Sequence, residues 1–211
     1  MKIHLSTPIS SDQIVSLQVG DTVYLDGIIV TGRDMVHKWL VEKFIHPVIP
    51  ASTAEQEVYQ VIQPYLNQGV IFHCGPIVSS LETQNYKMLS AGPTTSIRAE
   101  PYMSDIMHHF NLKGVIGKGG MGKQTLQACR DVPAVYFHAV GGAGALIAQS
   151  IRKVVAVYQL EFGVPEAMWV LEVSDFPVIV TMDAHGNSLH DTVKLKSSEA
   201  LQKLNPQSHP N

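Results

Sequence analysis

Two glycine-rich turns constrain this chain more than any other feature of its sequence. The first comprises residues 91–98 (AGPTTSIR), and the second comprises residues 115–122 (VIGKGGMG). Glycine permits positive φ and a close approach of the backbone to a ligand, and proline presets its own φ. The second turn also leaves its backbone amides bare. The two turns are therefore the first candidates for a binding site.

The side chains of both turns suit a small anion such as a carboxylate or a phosphate. Thr94 and Thr95 provide adjacent hydroxyls, and Arg98 provides a planar fork that fits two oxygens at once. Lys118 adds a movable point charge beside Gly119. An ordinary turn followed by a helix N-cap explains residues 91–98 equally well when they are considered alone. Both interpretations stay open at this point.

A third cation follows a predicted strand near the beginning of the chain. Residues 22–30 are rich in β-branched and aromatic residues, which predicts a strand, and residues 35–44 have the apolar spacing of a helix. Arg33 therefore lies at a strand-to-helix junction, where backbone amides also face anions. A surface ion pair between Arg33 and Asp34 is the simpler alternative, and their spacing alone favours it.

Residues 117–123 match the phosphate-binding spacing G-x-x-x-x-G-K. A P-loop continues with Ser or Thr to bind magnesium, but here the next residue is Gln124 and Thr125 comes one place late. A P-loop-like nucleotide-binding protein, with Lys123 and Asp183 in a hydrolase site, is therefore a weakened alternative.

Composition favours one globular domain and excludes several classes of partner. The 211 residues are 45% hydrophobic and 16% charged, which is enough to form a full core. A net charge of −3 is not typical of a nucleic-acid-binding domain, and no stretch approaches the about 20 apolar residues of a membrane span. We therefore expect neither nucleic acid nor membrane as a partner.

The two cysteines, Cys74 and Cys129, are far apart in the sequence and form no CxxC motif. This usage predicts reduced thiols in a cytoplasmic protein, and two thiols cannot hold a metal cluster or a structural zinc by themselves. His73 precedes Cys74 at the end of a predicted strand. A metal ligand or a nucleophile is conceivable there, but two core residues are the favoured interpretation.

The pattern of strands predicts an α/β fold in a single domain of residues 1–193. Helices link the early strands, whereas the late segments 154–158, 168–173 and 176–183 follow one another quickly, so part of the sheet must be antiparallel. Within this domain, residues 46–68 are expected to form an excursion that is either lid-like or packed on the surface. Residues 194–211 are expected to form a polar, frayed C-terminal tail.

The order of several motifs resembles one family. These motifs are TGRD at 31–34, GP at 75–76, GPTTSIR at 92–98, GKGGMG at 117–122, GGA at 141–143, PEAMWVLEV at 165–173 and DFPVIVTMDAHGN at 175–187. Together they resemble the β subunit, or C-terminal domain, of the class I iron-sulfur fumarate hydratases and L(+)-tartrate dehydratases. The resemblance extends from about Leu5 to Leu189.

This resemblance implies a fold, a partner and a reaction. The fold is a three-layer swivelling β/β/α domain with a parallel sheet, a smaller antiparallel sheet and helices on one side. The iron-sulfur cluster (4Fe-4S) is held by a partner α subunit, and the expected assembly is a homodimer or an α2β2 heterotetramer. The reaction is the reversible addition of water to a C4 dicarboxylate, with fumarate/malate and tartrate/oxaloacetate both allowed.

The resemblance also assigns roles to single residues. Thr94 corresponds to a threonine implicated in proton transfer, and Arg33, Arg98 and Lys118 correspond to cations that bind the substrate's carboxylates. Thr95 and Gly119 join the predicted substrate-binding set, and no residue of this chain is predicted to bind a metal. Besides the P-loop alternative, a non-catalytic module that binds dicarboxylates or serves assembly remains open.

Overall fold

The computed structural model describes residues 2–204. Its strands are β1 (Ile3–Ser6), β2 (Thr22–Thr31), β3 (Val70–Phe72), β4 (Ile77–Ser79), β5 (Lys87–Ser90), β6 (Gly114–Gly117), β7 (Val135–His138), β8 (Ile151–Tyr158) and β9 (Met168–Met182). Its α-helices are α1 (Ser11–Val15), α2 (Asp34–Leu40), α3 (Thr53–Leu66), α4 (Glu100–Phe110), α5 (Lys123–Asp131), α6 (Gly144–Ala148) and α7 (Leu189–Leu204). A π-helical turn (Val41–Ile45) follows α2, and 3₁₀ turns cover Ser96–Ala99 and Leu160–Phe162.

The main sheet has seven strands in the order β1-β2-β3-β6-β7-β9-β8. The first five of these are parallel to one another, and β9 runs antiparallel to both β7 and β8. β2 also pairs with β9 along most of its length, from Thr22 opposite Ile179 to Val30 opposite Val170. This pairing closes β2, β3, β6, β7 and β9 into a ring.

Side chains of the ring alternate between two cores, as the period of a strand requires. On β9, Trp169 and Leu171 belong to the first core, whereas Met168 and Val170 belong to the second. The second core is covered by α2, α3, α4 and α5. The first core receives β4 and β5, which form a separate two-stranded antiparallel sheet, together with the short helices α1 and α6.

The fold class is confirmed: the domain is α/β, with a mostly parallel main sheet and a small antiparallel sheet. Two details differ from expectation. The short helices α1 and α6 lie on the face opposite the larger helices, so not every helix lies on one side. The expected strands 168–173 and 176–183 are one continuous strand, β9, in which Asp175 adopts a φ of 52°.

Part of the predicted excursion at 46–68 is the helix α3. Ser52 caps it, because the Ser52 hydroxyl accepts from the Glu55 amide while the Glu55 carboxylate accepts from the Ser52 amide. Ile62 and Leu66 of this helix are fully buried in the second core. These contacts favour the packed form of the excursion over a lid.

The predicted tail at 194–211 is not frayed where the structure describes it. Helix α7 crosses residue 193 and continues to Leu204, and its side chains are exposed from Asp191 onward. Residues 205–211 of the predicted tail lie outside the described residues. None of the described helices is long and apolar enough to cross a membrane.

Candidate active site

The predicted site residues cluster where neighbouring parallel strands end. Arg33 follows β2, His73 follows β3 and Lys118 follows β6. These strands are adjacent in the sheet, so their carboxyl ends share one edge. Open parallel sheets bind their ligands at this edge, because the loops that leave it can converge on one point.

Backbone hydrogen bonds join the two glycine-rich turns. The Thr94 amide donates to the His73 carbonyl at 2.8 Å, and the Lys118 amide donates to the Thr94 carbonyl at 3.2 Å. The Ser96 amide returns a bond to the Lys118 carbonyl at 3.1 Å, so Thr95 and Lys118 pair as in a short parallel ladder. The structure therefore brings Thr94, Thr95 and Lys118 together.

Two glycines permit this close approach. A Cβ at Gly117 would lie 1.8 Å from the Ser96 Oγ, so a larger residue there would displace the Ser96 side chain from between the turns. A Cβ at Gly144 would lie 2.3 Å from the Ser90 Oγ and 3.0 Å from the Gly92 nitrogen. Gly144 therefore permits close packing of α6 against the first turn.

The two arginines lie in ion pairs that cross between segments. Arg33 Nε lies 3.1 Å from Glu166 Oε1, and the Arg98 guanidinium contacts the Asp34 carboxylate. The alternative of a local Arg33–Asp34 pair is therefore wrong: each partner pairs with a residue distant in sequence. Because Asp34 follows Arg33 directly, the Arg98–Asp34 pair also draws the first turn towards the β2–α2 junction.

The remaining cation, Lys118, is half-buried, and its Cδ lies 3.6 Å from the position a Cβ would take at Gly141. Within residues 2–204 it has no acidic partner within 4 Å. Around it, Thr94 is half-buried, whereas Thr95, Arg98 and Gly119 are exposed, and 61% of the Arg98 side chain is accessible. The cluster is thus an open, cationic surface with one unpaired lysine.

The P-loop spacing at 117–123 does not form a phosphate cradle. The Glu100 carboxylate accepts from the amides of Gly122, Gln124 and Thr125 at 2.7 to 3.2 Å, and from the Thr125 hydroxyl at 2.7 Å. An anion of the protein itself therefore caps the N-terminus of α5, where a nucleotide phosphate would have to bind. This contact argues against the nucleotide alternative.

Replacing Glu100 with alanine is expected to lower the free energy of unfolding by about 1 to 3 kcal/mol, because the capped amides lose a charged acceptor. Urea unfolding followed by circular dichroism measures the change. Glu57→Ala, at an exposed position of α3, is the matched control and should change stability little. Equal stability of the Glu100 and Glu57 variants would contradict the assigned cap.

A buried polar group lies directly beneath the two turns. His73 Nδ1 is 2.9 Å from the Ser96 Oγ, and the Tyr136 hydroxyl donates to the same oxygen at 2.8 Å. His37 packs edge-on against His73 with ring centroids 4.9 Å apart, and its Nδ1 is 2.6 Å from the Arg33 carbonyl oxygen. Sequence reasoning missed this group, although His73 itself was named as a core residue.

Burial determines the protonation of these side chains. It lowers the pKa of His37 to about 4, against the opposing effects of the Arg33 carbonyl and Asp34. It lowers the pKa of His73 well below the usual range, and the neighbouring His37 adds to this shift. Burial also raises the pKa of the Cys74 thiol to about 12. The interpretation of His73 and Cys74 as core residues is confirmed, because both are buried and neutral.

The cysteines of this chain do not fit an iron-sulfur cluster. Cys74 and Cys129 are buried and free, and burial raises the pKa of Cys129 to about 12 as well. A cluster needs several thiolates at one point, which these residues do not provide. Elsewhere, ligand atoms of His4, Asp26 and Asp175 lie within 4.8 Å of one another, but all three residues are at least partly exposed and pair among themselves.

Fold and site together define an α/β domain with cationic turns at the carboxyl ends of its parallel strands. A family model described as fumarase C-terminus matches residues 1–193. The chain belongs to this family.

Relatives with more specific names cover most of the chain. It is 47% identical over 202 residues to a putative class I fumarate hydratase of Geobacillus stearothermophilus, covering 96% of this chain and 36% of that protein. It is 38% identical over 198 residues to a putative L(+)-tartrate dehydratase subunit beta of Methanocaldococcus jannaschii, covering 93% and 95%. The L(+)-tartrate dehydratase subunit beta of Escherichia coli K12 is 37% identical over 191 residues, covering 90% and 87%. The chain thus spans about a third of the first relative and nearly all of the second.

Proposed function

We propose that this chain is the β subunit of an iron-sulfur-dependent hydro-lyase that adds or removes water on a C4 dicarboxylate. The observation that carries the proposal is the convergence of the Arg33, Thr94–Arg98 and Lys118 segments at one edge of the sheet. The names of the relatives support the same reaction class, since they are a fumarate hydratase and tartrate dehydratase β subunits. Fumarate/malate and tartrate/oxaloacetate both remain within the proposal.

The cations match the charge of such a substrate. A C4 dicarboxylate carries two negative charges, and removal of the proton next to a carboxylate adds further negative charge to that group. Arg33, Arg98 and Lys118 bind the carboxylates and stabilise this charge most strongly when water is excluded. Thr95 and Gly119 complete the substrate-binding set through a hydroxyl and a bare amide.

Thr94 takes part in proton transfer in this proposal. An isolated threonine hydroxyl is too weak a base at neutral pH, so Thr94 relays a proton or is activated by a carboxylate of the partner. The Thr94 amide and carbonyl are both held by backbone bonds to His73 and Lys118, which fixes the backbone from which its side chain projects.

The open surface of the site supports the need for a partner. Thr95 and Arg98 are exposed, so this chain alone does not exclude water from the anion. In the proposal the cluster-bearing α subunit covers this surface, and its iron-sulfur cluster supplies a Lewis acid for the substrate's hydroxyl. The proposed assembly is a homodimer of β subunits or an α2β2 heterotetramer. Free, buried thiols support a cytoplasmic location.

The isolated chain is expected to fold but to be colourless and to lack fumarate hydratase and tartrate dehydratase activity, because it supplies cations but no Lewis acid. Absorbance between 300 and 500 nm and a coupled assay with L-malate or L(+)-tartrate test this expectation. Anaerobic co-expression with a cysteine-rich α subunit should restore both colour and turnover. Turnover by the metal-free chain would contradict the division of roles, and an inactive, fully loaded complex would contradict the proposed reaction.

The same complex separates the proposal from its alternatives. A non-catalytic binding or assembly module would bind the dicarboxylate without any turnover in the loaded complex. A nucleotide-binding protein would bind Mg-ATP in calorimetry, which the Glu100 cap of α5 disfavours.

A further inference from the structure

We propose that two buried hydrogen-bonded groups, Tyr136–Ser96–His73 and His37–Arg33, whose histidine rings touch edge-on, fix the three substrate-binding segments relative to one another. This inference rests on the proposed function only in that it takes those segments to bind the substrate. The four side chains are positioning residues: none touches the proposed substrate, and each ties one loop of the site to the next.

The first link joins the two glycine-rich turns at their base. Tyr136 is fully buried on β7, and its hydroxyl donates to the Ser96 Oγ at 2.8 Å. Burial raises the pKa of Tyr136, against the smaller opposing effects of Ser96 and the Gly120 backbone. The phenolic oxygen is thus bonded to the turn that carries Thr94, and it lies 3.0 Å from the position a Cβ would take at Gly117, in the turn that carries Lys118.

The second link joins Ser96 to the end of β3. Because the Ser96 oxygen accepts the proton of Tyr136, its own hydroxyl proton is available for His73 Nδ1, 2.9 Å away. His73 then carries its proton on Nε2. The backbone of His73 contributes as well, because its carbonyl accepts from the Thr94 amide at 2.8 Å. Ring and backbone of one residue hold the Thr94 turn at two points.

The third link reaches the Arg33 segment. A carbonyl oxygen can only accept, so the 2.6 Å contact with the Arg33 oxygen requires the proton of His37 on Nδ1 and leaves a lone pair on Nε2. Both Nε2 atoms, of His37 and of His73, are buried and unpartnered within residues 2–204. One is a donor and the other an acceptor, and the rings lie edge-on with centroids 4.9 Å apart.

The donors run from Tyr136 through Ser96 to His73 and, separately, from His37 to the Arg33 carbonyl, and the two rings meet edge-on. The first group is cooperative, since each bond polarises the next, and both groups demand neutral rings. Burial supplies this condition by disfavouring the charged form of both histidines. Rigid spacing between Arg33, Thr94 and Lys118 is what a doubly charged, rigidly spaced substrate requires for a productive orientation.

Kinetics of the loaded complex test the chain through its two hydroxyls. Tyr136→Phe and Ser96→Ala are each expected to lower kcat/KM by about 10- to 100-fold, mainly through kcat, because the loops lose their register rather than their charges. The double variant should be no worse than the poorer single variant, since either change interrupts the same chain. Tyr59→Phe is the matched control. The Tyr59 hydroxyl, on α3, bonds His109 of α4 at 2.7 Å, and the kinetics of this variant should equal those of the wild type.

Losses that add in the double variant, or kinetics of Tyr136→Phe equal to those of Tyr59→Phe, would overturn the proposal. Equal losses of thermal stability in Tyr136→Phe and Tyr59→Phe with unequal kinetics would support it.

A second measurement does not depend on activity. Side-chain ¹⁵N spectra of the full chain should show neutral rings protonated at Nδ1 in His37 and at Nε2 in His73. In Ser96→Ala, exchange of the Thr94 and Lys118 amides should accelerate at least tenfold over the wild type. A wild-type complex without turnover would refute the proposed function. The spectra and the amide exchange would then decide the inference by themselves. Opposite tautomers, a charged ring or unchanged exchange would overturn the inference itself.

Discussion

Replacing Arg98 or Lys118 with alanine in the loaded complex is expected to lower kcat/KM by about 30- to 5,000-fold, or about 2 to 5 kcal/mol, while Tm stays nearly unchanged. The loss is large because, in the proposed complex, each side chain faces negative charge in a site that the α subunit desolvates. The stability of the fold should hardly change, because the Arg98–Asp34 pair is exposed and such pairs contribute about 0 to 1 kcal/mol. Arg98→Lys should also be poorly tolerated, because a point charge cannot replace a two-oxygen fork.

The matched controls are Arg130→Ala and Lys123→Ala, two exposed cations on α5. Both should keep the wild-type kcat/KM. Lys123 has a second use, since the P-loop alternative makes it the phosphate-binding lysine. Unchanged kinetics in Arg98→Ala and Lys118→Ala, or a kinetic loss confined to Lys123→Ala, would remove the two residues from the site.

Acidification from pH 6.5 to pH 4 is expected to destabilise the fold by about 3 kcal/mol through His37 alone. Its pKa falls from 6.5 in the unfolded chain to about 4 in the fold, and each pKa unit corresponds to about 1.4 kcal/mol. The unfolded state binds the proton first, so stability is complete above pH 6.5, declines between 6.5 and 4, and levels off below 4. His73 acts in the same direction.

Urea unfolding of wild type and His37→Leu across this pH range measures the effect. The variant loses stability at neutral pH, but its curve should fall less steeply between pH 6.5 and 4. His46→Leu, at an exposed site beside Asp105, serves as the control and should keep the wild-type slope. Glu55, whose pKa is lowered from 4.5 to about 2 mainly by the Ser52 amide, acts only from the acidic end of this window downward. Parallel curves for wild type and His37→Leu would contradict the assignment.

The parts of the site that sequence could predict are those set by local chemistry. Residues 92–98 and 117–122 need their glycines for a close approach, and that requirement is visible in the sequence, as the 1.8 Å clearance at Gly117 illustrates. The strand before Arg33 and the strand before Lys118 were predictable from β-branched and apolar runs. Their common edge follows from parallel pairing, which the fold class implied.

The partners of the charged side chains could not be predicted, because they come from distant segments. Asp34 stands next to Arg33 in sequence, yet the backbone directs it to Arg98, while Arg33 reaches Glu166. Glu100 likewise caps a helix that begins more than twenty residues later. These ion pairs and this cap depend on how strands and helices stack, and no spacing along the chain encodes them.

The hydrogen-bond partners of the buried histidines and the continuity of strand β9 were missed for related reasons. An apolar strand tolerates a histidine when its nitrogens find partners, and the sequence does not reveal those partners. The sequence pattern divided this region into the segments 168–173 and 176–183, but Asp175 between them adopts positive φ and the strand continues. Local signals for a turn were overruled by pairing on both sides, with β2 and with β8.

The ring formed by β2, β3, β6, β7 and β9 has a consequence for motion. Arg33, His73 and Lys118 all leave this ring from its strand ends, and a closed ring has no free edge about which one segment could hinge away from another. In the proposed complex, we therefore expect the site to open for substrate by a rigid-body displacement of this whole domain against the α subunit. The turnover rate would in that case respond to solvent viscosity and to changes in the contact between subunits, while the spacing of the three cations stays constant through the cycle.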